Sequence, residues 1–92
     1  MDVQALGIDM LSLSAHKFHG PKGIGALYVR KGIPLDNLIH GGAQERGLRA
    51  GTENVAAIAG LGAAITLATQ QMEQNNRHIM GLRDMLLQGM LQ

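Results

Sequence analysis

Ser14, Ala15, His16 and Lys17 are consecutive and bring a hydroxyl, an imidazole and a primary amine onto one short stretch of backbone. A hydroxyl and an imidazole both hydrogen-bond a phosphate, and an amine that has lost its proton attacks a carbonyl to form a Schiff base. A plainer reading competes with this chemistry. A lysine where a strand runs out is usually a solvated charge, and spacing alone favours that role. His16 and His19 are three apart, a separation that suits metal ligands only on a helix, and this segment does not read as helical. No carboxylate or third histidine stands close by to complete a metal set.

A second cluster lies between Gly41 and Thr52, where Gln44, Glu45, Arg46 and Arg49 sit in a glycine-punctuated loop. The loop runs onto a predicted helix N-terminus at Thr52, and two arginines with a hydroxyl at such a place can bind an anion. The local residues favour the simpler alternative, a solvated loop in which Thr52 caps its own helix. The run Gly20-Pro21-Lys22-Gly23-Ile24-Gly25 matches neither nucleotide fingerprint: it lacks GxxxxGK[ST], and it leads into a strand rather than a helix.

These residues need elements to hold them. Met10 to Ser14 alternates apolar and polar residues and predicts a strand whose C-terminal end delivers Ala15, His16 and Lys17. Ligands of open α/β sheets bind beyond such strand ends. Ile24 to Val29 predicts a second strand, and the glycine and proline between the two predict a tight connection and a hairpin or neighbouring pair. From Thr52 the pattern turns helical: Val55, Ile58, Leu61 or Gly62, Ile65 and Ala68 recur at three-to-four spacing, with Glu53 in the first turn. A second stripe of Ile79, Leu82, Met85 or Leu86 and Met90 follows the polar patch Gln74-Asn75-Asn76-Arg77. One long rod and an antiparallel pair both satisfy this pattern. Ala and Gly between positions 56 and 64 let another backbone approach closely, and Met72, Met80, Met85 and Met90 read as core filler.

Ninety-two residues allow one small domain. Hydrophobic residues make up 46% and charged residues 16%, apolar enough for a core and too uncharged for a disordered tail. A net charge of +1 points to neither nucleic acid nor a polybasic membrane anchor. The absence of cysteine removes disulfides, thiolate metal sites and any thiol nucleophile from this chain. No signal peptide is evident at Met1-Asp2-Val3-Gln4, and the unbroken apolar run from Val55 to Ile65 is short for a bilayer. The expectation is a soluble, cytoplasmic protein.

Two long runs carry a resemblance. Ser14 to Arg30 (Ser-Ala-His-Lys-Phe-His-Gly-Pro-Lys-Gly-Ile-Gly-Ala-Leu-Tyr-Val-Arg) and Gly41 to Asn54 (Gly-Gly-Ala-Gln-Glu-Arg-Gly-Leu-Arg-Ala-Gly-Thr-Glu-Asn) resemble the NifS-like cysteine desulfurases, relatives of the class V aminotransferases. The likeness covers nearly the whole chain, with both motifs in order. It implies an α/β fold, part of the large domain of a fold-type I pyridoxal-phosphate transferase: two or so strands followed by a long helix or helix pair. Residues 1–51 would hold the strands, glycine-rich loops and cofactor lysine, and residues 52–92 the helical segment. The resemblance further implies that Lys17 joins the cofactor aldehyde, that Ser14 and His16 bind its phosphate, and that Thr52 reaches the phosphate held by a partner subunit. Ala43 stands where many relatives carry a third glycine, and Ala15 varies in the family; neither change removes a functional group.

By that resemblance, the activity is transfer of sulfur from L-cysteine, giving L-alanine and an enzyme persulfide for iron–sulfur cluster assembly or another sulfur pathway. The partners implied are a second copy or the remainder of the enzyme, and a sulfur-acceptor or scaffold protein. Members of the family are several times longer, and the histidine stacked on the cofactor ring, the aspartate on its nitrogen, the arginine for the substrate carboxylate and the sulfur-accepting cysteine are all supplied elsewhere. The expectation is therefore a fragment, inactive by itself. Two rivals remain: another class V enzyme such as a selenocysteine lyase, and a non-catalytic interaction module that binds a partner through its apolar helix. Cofactor absorbance separates enzyme from module.

Overall fold

In a computed structural model describing residues 1–92, Met10–Ser14 forms strand β1, with Leu11 and Leu13 half-buried and Ser12 and Ser14 exposed, as its alternation predicts. Strand β2, Gly25–Val29, lies antiparallel to it, in a register that pairs Met10 with Val29 and Ser14 with Gly25. Gly25 lies against the backbone of β1: a Cβ there would stand 2.5 Å from the Leu13 carbonyl oxygen. At the other end of the pair the Arg30 amide donates to the Asp9 carbonyl at 2.8 Å, and the two side chains form an ion pair, also at 2.8 Å. The connection is not the tight turn expected from its glycines. Residues 15–24 intervene, beginning with a 3-10 helix at Ala15–Phe18 and turning again through Gly23 at φ +81°. Upstream, the Asp2 carboxylate accepts from the amides of Ala5 and Gln4, which hold its pKa below the ordinary value.

The helical region is one rod, α1, spanning Val55–Met90. Thirty-six residues at about 1.5 Å each account for nearly all of the molecule's 60 Å length. The polar patch from Gln74 to Arg77 does not break it, since it contains neither proline nor glycine and its side chains are exposed. Asn54, and not Thr52, caps the helix: its Oδ1 accepts from the Ala57 amide at 3.2 Å. Glu53 consequently precedes the cap and no acidic residue occupies the first turn.

The inward face of α1 also differs from the stripe its large residues predict. Val55, Ile58 and Ile65 are exposed, while Ala57, Gly60, Leu61, Ala64 and Ala68 are half-buried. Small residues face inward because the segment between the strands packs directly on them; a Cβ on Gly60 would meet Pro21 Cγ at 2.5 Å, and one on Gly20 would meet Ala64 Cβ at 3.1 Å. Little else is covered. Only Ala15 and Ala50 are buried, and the radius of gyration is 18.1 Å, against about 12 Å for a compact chain of this length. As one continuous helix, α1 is long and apolar enough to cross a membrane by length and composition, with a mean hydropathy of 1.4 over its most apolar stretch, contrary to the expectation from the short apolar run. The same composition serves a helix packed inside a larger fold.

Candidate functional site

Ala15 is the pivot of the site. Its side chain is fully buried, its amide donates to the Ile24 carbonyl at 3.0 Å, and its own carbonyl accepts from the amides of His19 and Gly20. Gly20 is required beside it, since a Cβ there would lie 2.9 Å from Ala15 Cβ. With Ala15 pinned between the hairpin and α1, its sequence neighbours Ser14, His16 and Lys17 are exposed around the C-terminal end of β1. Ser14 has extended backbone (φ −117°, ψ 129°) and stands at the N-cap of the 3-10 helix, yet its hydroxyl caps nothing. None of the three enters a side-chain hydrogen bond or an ion pair within the chain. The fold thus presents a hydroxyl, an imidazole and an amine together, all uncommitted.

The 3-10 turn corrects the non-helical reading of this segment. His19 closes the turn in the left-handed region (φ 66°, ψ 19°), and no cluster of three metal-ligating side chains exists.

Thr52 lies elsewhere. It lines an open cleft of about 710 Å³ together with Ala26 and Leu27 of β2, Ile39, Arg49 and Ile58 at the start of α1. Ser14, His16 and Lys17 are not among the residues lining it. Ser14, His16 and Lys17 thus stand as exposed neighbours at the end of β1, and Thr52 lines a cleft to which they do not contribute.

The loop carrying Thr52 is more organised than its glycines imply. Glu45, Arg46 and Gly47 have φ of 50°, 60° and 80° in succession, a left-handed turn that two non-glycine residues join at a steric cost. Asn37 Nδ2 donates to the Gly47 carbonyl, and Gln44 Oε1 accepts from the Gly51 amide at 3.0 Å. Ala50 is buried against Gly41, and Arg49 Nη1 donates to the Ala50 carbonyl at 2.9 Å, so one of the two expected anion-binding arginines is occupied within its own loop. Sequence reading missed Asn37 and Gln44 as loop-holding residues and Asn54 as the cap. Only Asn54 carried a local signal, as a strong N-cap residue directly before the apolar-periodic run.

The donor set is suited to a phosphorylated aldehyde: a hydroxyl and an imidazole for the phosphate, and beside them an amine for the carbonyl. The chain matches the family described as Aminotransferase class-V over residues 1–92. It is 60% identical over 91 residues to the cysteine desulfurase IscS of Methanosarcina thermophila, which covers 99% of this chain and 22% of that protein. Among solved structures, a NifS-like protein superimposes with a TM-score of 0.94 at 47% identity, covering 99% of this chain and 25% of the other. SspA, solved in complex with cysteine, superimposes with a TM-score of 0.68 at 52% identity over 83% of this chain and 24% of its own. The chain spans about a quarter of the length of these relatives.

Proposed function

The chain belongs to the aminotransferase class-V family, and from that premise we propose that it forms the lysine-bearing part of a pyridoxal-phosphate-dependent cysteine desulfurase. The observation that carries this reading is the turn at Ala15, which leaves Ser14, His16 and Lys17 together and unpaired at the end of β1. The relatives named cysteine desulfurase, and the cysteine in the SspA structure, support L-cysteine as the substrate.

Pyridoxal phosphate, when bound, supplies an aldehyde for an amine and a ring that draws electrons from the substrate. Lys17 Nζ, once deprotonated, would be the nucleophile available to that aldehyde. The Ser14 hydroxyl and a His16 ring N–H would hold the phosphate, where bonds to a charged acceptor are stronger than neutral ones. Both donors sit within two residues of the buried Ala15, so the backbone that fixes one fixes the other. Thr52, at its separate cleft, would donate to the phosphate held by a second copy, and that role calls for a homo-oligomer.

In the overall reaction the carbon–sulfur bond of L-cysteine breaks, its sulfur joins an acceptor thiolate as a persulfide, and L-alanine leaves. The thiolate must come from outside these residues, which include no cysteine. Delivery of that sulfur to a scaffold or acceptor protein, including one for iron–sulfur clusters, belongs to the same proposal.

Borohydride reduction in the presence of pyridoxal phosphate, followed by peptide mapping, tests the assignment. Label concentrated on Lys17 and lost in Lys17→Ala is the expected result. Label spread evenly over Lys17, Lys22 and Lys31 overturns it.

A further inference from the structure

We propose that Gln44 is a positioning residue for Thr52, acting as a clasp that closes the loop from which Thr52 emerges. The inference rests on the reading of Thr52 as a phosphate donor.

Three features of the loop carry it. Gln44 Oε1 accepts from the Gly51 amide at 3.0 Å, so the side chain at the start of the loop holds the residue immediately before Thr52. Between these ends the backbone passes through the left-handed turn at Glu45, Arg46 and Gly47. An αL conformation is unfavourable for glutamate and arginine, so such a turn persists only where surrounding contacts fix it. Backbone bonds from the Gly47 amide to the Ala43 and Gln44 carbonyls and from the Leu48 amide to the Glu45 carbonyl close the turn, and the side-chain contacts are Asn37 Nδ2 to the Gly47 carbonyl, Arg49 Nη1 to the Ala50 carbonyl, the packing of Ala50 against Gly41, and the Gln44 bond. Of these, the Gln44 bond is one step from Thr52. Asn54 anchors the other side through its cap on α1. Thr52 is thus suspended between two side-chain-to-backbone bonds, one at Gly51 and one at the helix start. A hydroxyl that must meet an anion on another copy gains affinity from having its backbone held beforehand.

Gly42 offers an independent handle on the same bond. A Cβ at this position would lie 2.5 Å from Gln44 Oε1 and 2.9 Å from Nε2. Gly42 is not among the glycines at positive φ, so Gly42→Ala leaves the backbone unstrained and displaces the Gln44 amide. Gln44→Met keeps length and packing while removing the acceptor, and Gln44→Glu keeps an acceptor.

The experiment measures two quantities on the 92-residue chain and its variants. One is hydrogen exchange at the Gly51 amide. The other is the preference for pyridoxal phosphate over pyridoxal, which isolates phosphate recognition from reaction of the aldehyde with lysine. Gln44→Met and Gly42→Ala are expected to speed Gly51 exchange and to reduce the phosphate preference by about tenfold, as Thr52→Ala does, the size of one charge-assisted hydrogen bond. Their combination should cost no more than either alone, because both act on one contact. Gln44→Glu should restore slow exchange. Unchanged Gly51 exchange in Gln44→Met overturns the clasp. Faster exchange with undiminished phosphate preference, while Thr52→Ala reduces it, overturns the positioning role but leaves the Thr52 reading standing. No effect of Thr52→Ala on the preference overturns the Thr52 reading and the positioning role with it.

Discussion

Pro21 lies directly over Gly60, so close that a Cβ added to the glycine would stand 2.5 Å from Pro21 Cγ. This contact joins the site-bearing segment to α1. Pro21 belongs to the connection that begins with Ala15, His16 and Lys17, and Gly60 is one helical turn from Ala64, which faces Gly20. A proline ring is rigid, so the misfit from a larger side chain cannot be absorbed by rotating a flexible tip.

Gly60→Val is accordingly expected to lift the segment from the helix. The cost should be about 1 to 3 kcal/mol, as for other overpacked contacts. Gly62→Val, at a position with open space around it, is the control and should show only a small gain in helix propensity. Thermal melts together with proteolysis between residues 15 and 24 measure both. Equal losses at the two positions would contradict the packing described here.

Asn54→Ala should weaken the start of α1 by about 1 kcal/mol, the usual value of an N-cap. Thr52→Ala should leave helicity unchanged, since Thr52 is two residues before the cap and its hydroxyl makes no cap bond. Circular dichroism distinguishes the two. A loss of helix in Thr52→Ala would restore it as the cap.

The pairing of these residues shows where sequence reasoning stops. Thr52 and Asn54 are both good cap residues, and the choice depends on where the first helical turn closes, which a periodic pattern locates only to within a few residues. β1 was legible to the residue because its alternation has period two and little competes with it. The inward face of α1 was misread for a different reason. Periodicity follows large apolar residues such as Ile58 and Ile65, whereas the contact is made by Gly60 and Ala64, whose value is the absence of a side chain. A single rod and a helix pair share one pattern, and no proline or glycine in the patch from Gln74 to Arg77 decides between them. Lys17 stood out through the resemblance of the surrounding motif, because a lone lysine at a strand end carries no signal. The Gln44 bond to Gly51 was invisible, since it spans seven residues through a left-handed turn that glutamate and arginine rarely adopt.

Association is the next expectation. Ile65, Leu67, Met72, Ile79, Leu82 and Leu86 are all exposed on α1, and apolar surface on this scale is rarely left to water. Light scattering should show the chain larger than a monomer at micromolar concentration, with a broad thermal transition. A monodisperse monomer with a sharp cooperative melt would contradict it.

The isolated chain should not release sulfide from L-cysteine faster than free pyridoxal phosphate does, even with Lys17 labelled by the cofactor. Persulfide formation needs a thiolate acceptor, and these residues include no cysteine. An added dithiol can take the sulfur, so the missing acceptor is not decisive by itself. The larger obstacle is electrostatic. The side chains gathered at Ala15 are a hydroxyl, an imidazole and an amine, which hold a phosphate and join an aldehyde but place no carboxylate against a ring nitrogen. Arg49, the arginine at the cleft, gives one donor to the Ala50 carbonyl and lies apart from the side chains at Ala15. Stabilisation of charge that develops during reaction is commonly worth about 100-fold or more for each group lost, and a bound cofactor relies on such groups to tune its ring. Sulfide release should therefore be measured with dithiol and pyridoxal phosphate present, comparing the chain with Lys17→Ala. Equal, background rates are expected. A large rate that depends on Lys17 would show that these 92 residues form a complete catalyst, with ring and substrate partners drawn from the chain itself or from its second copy.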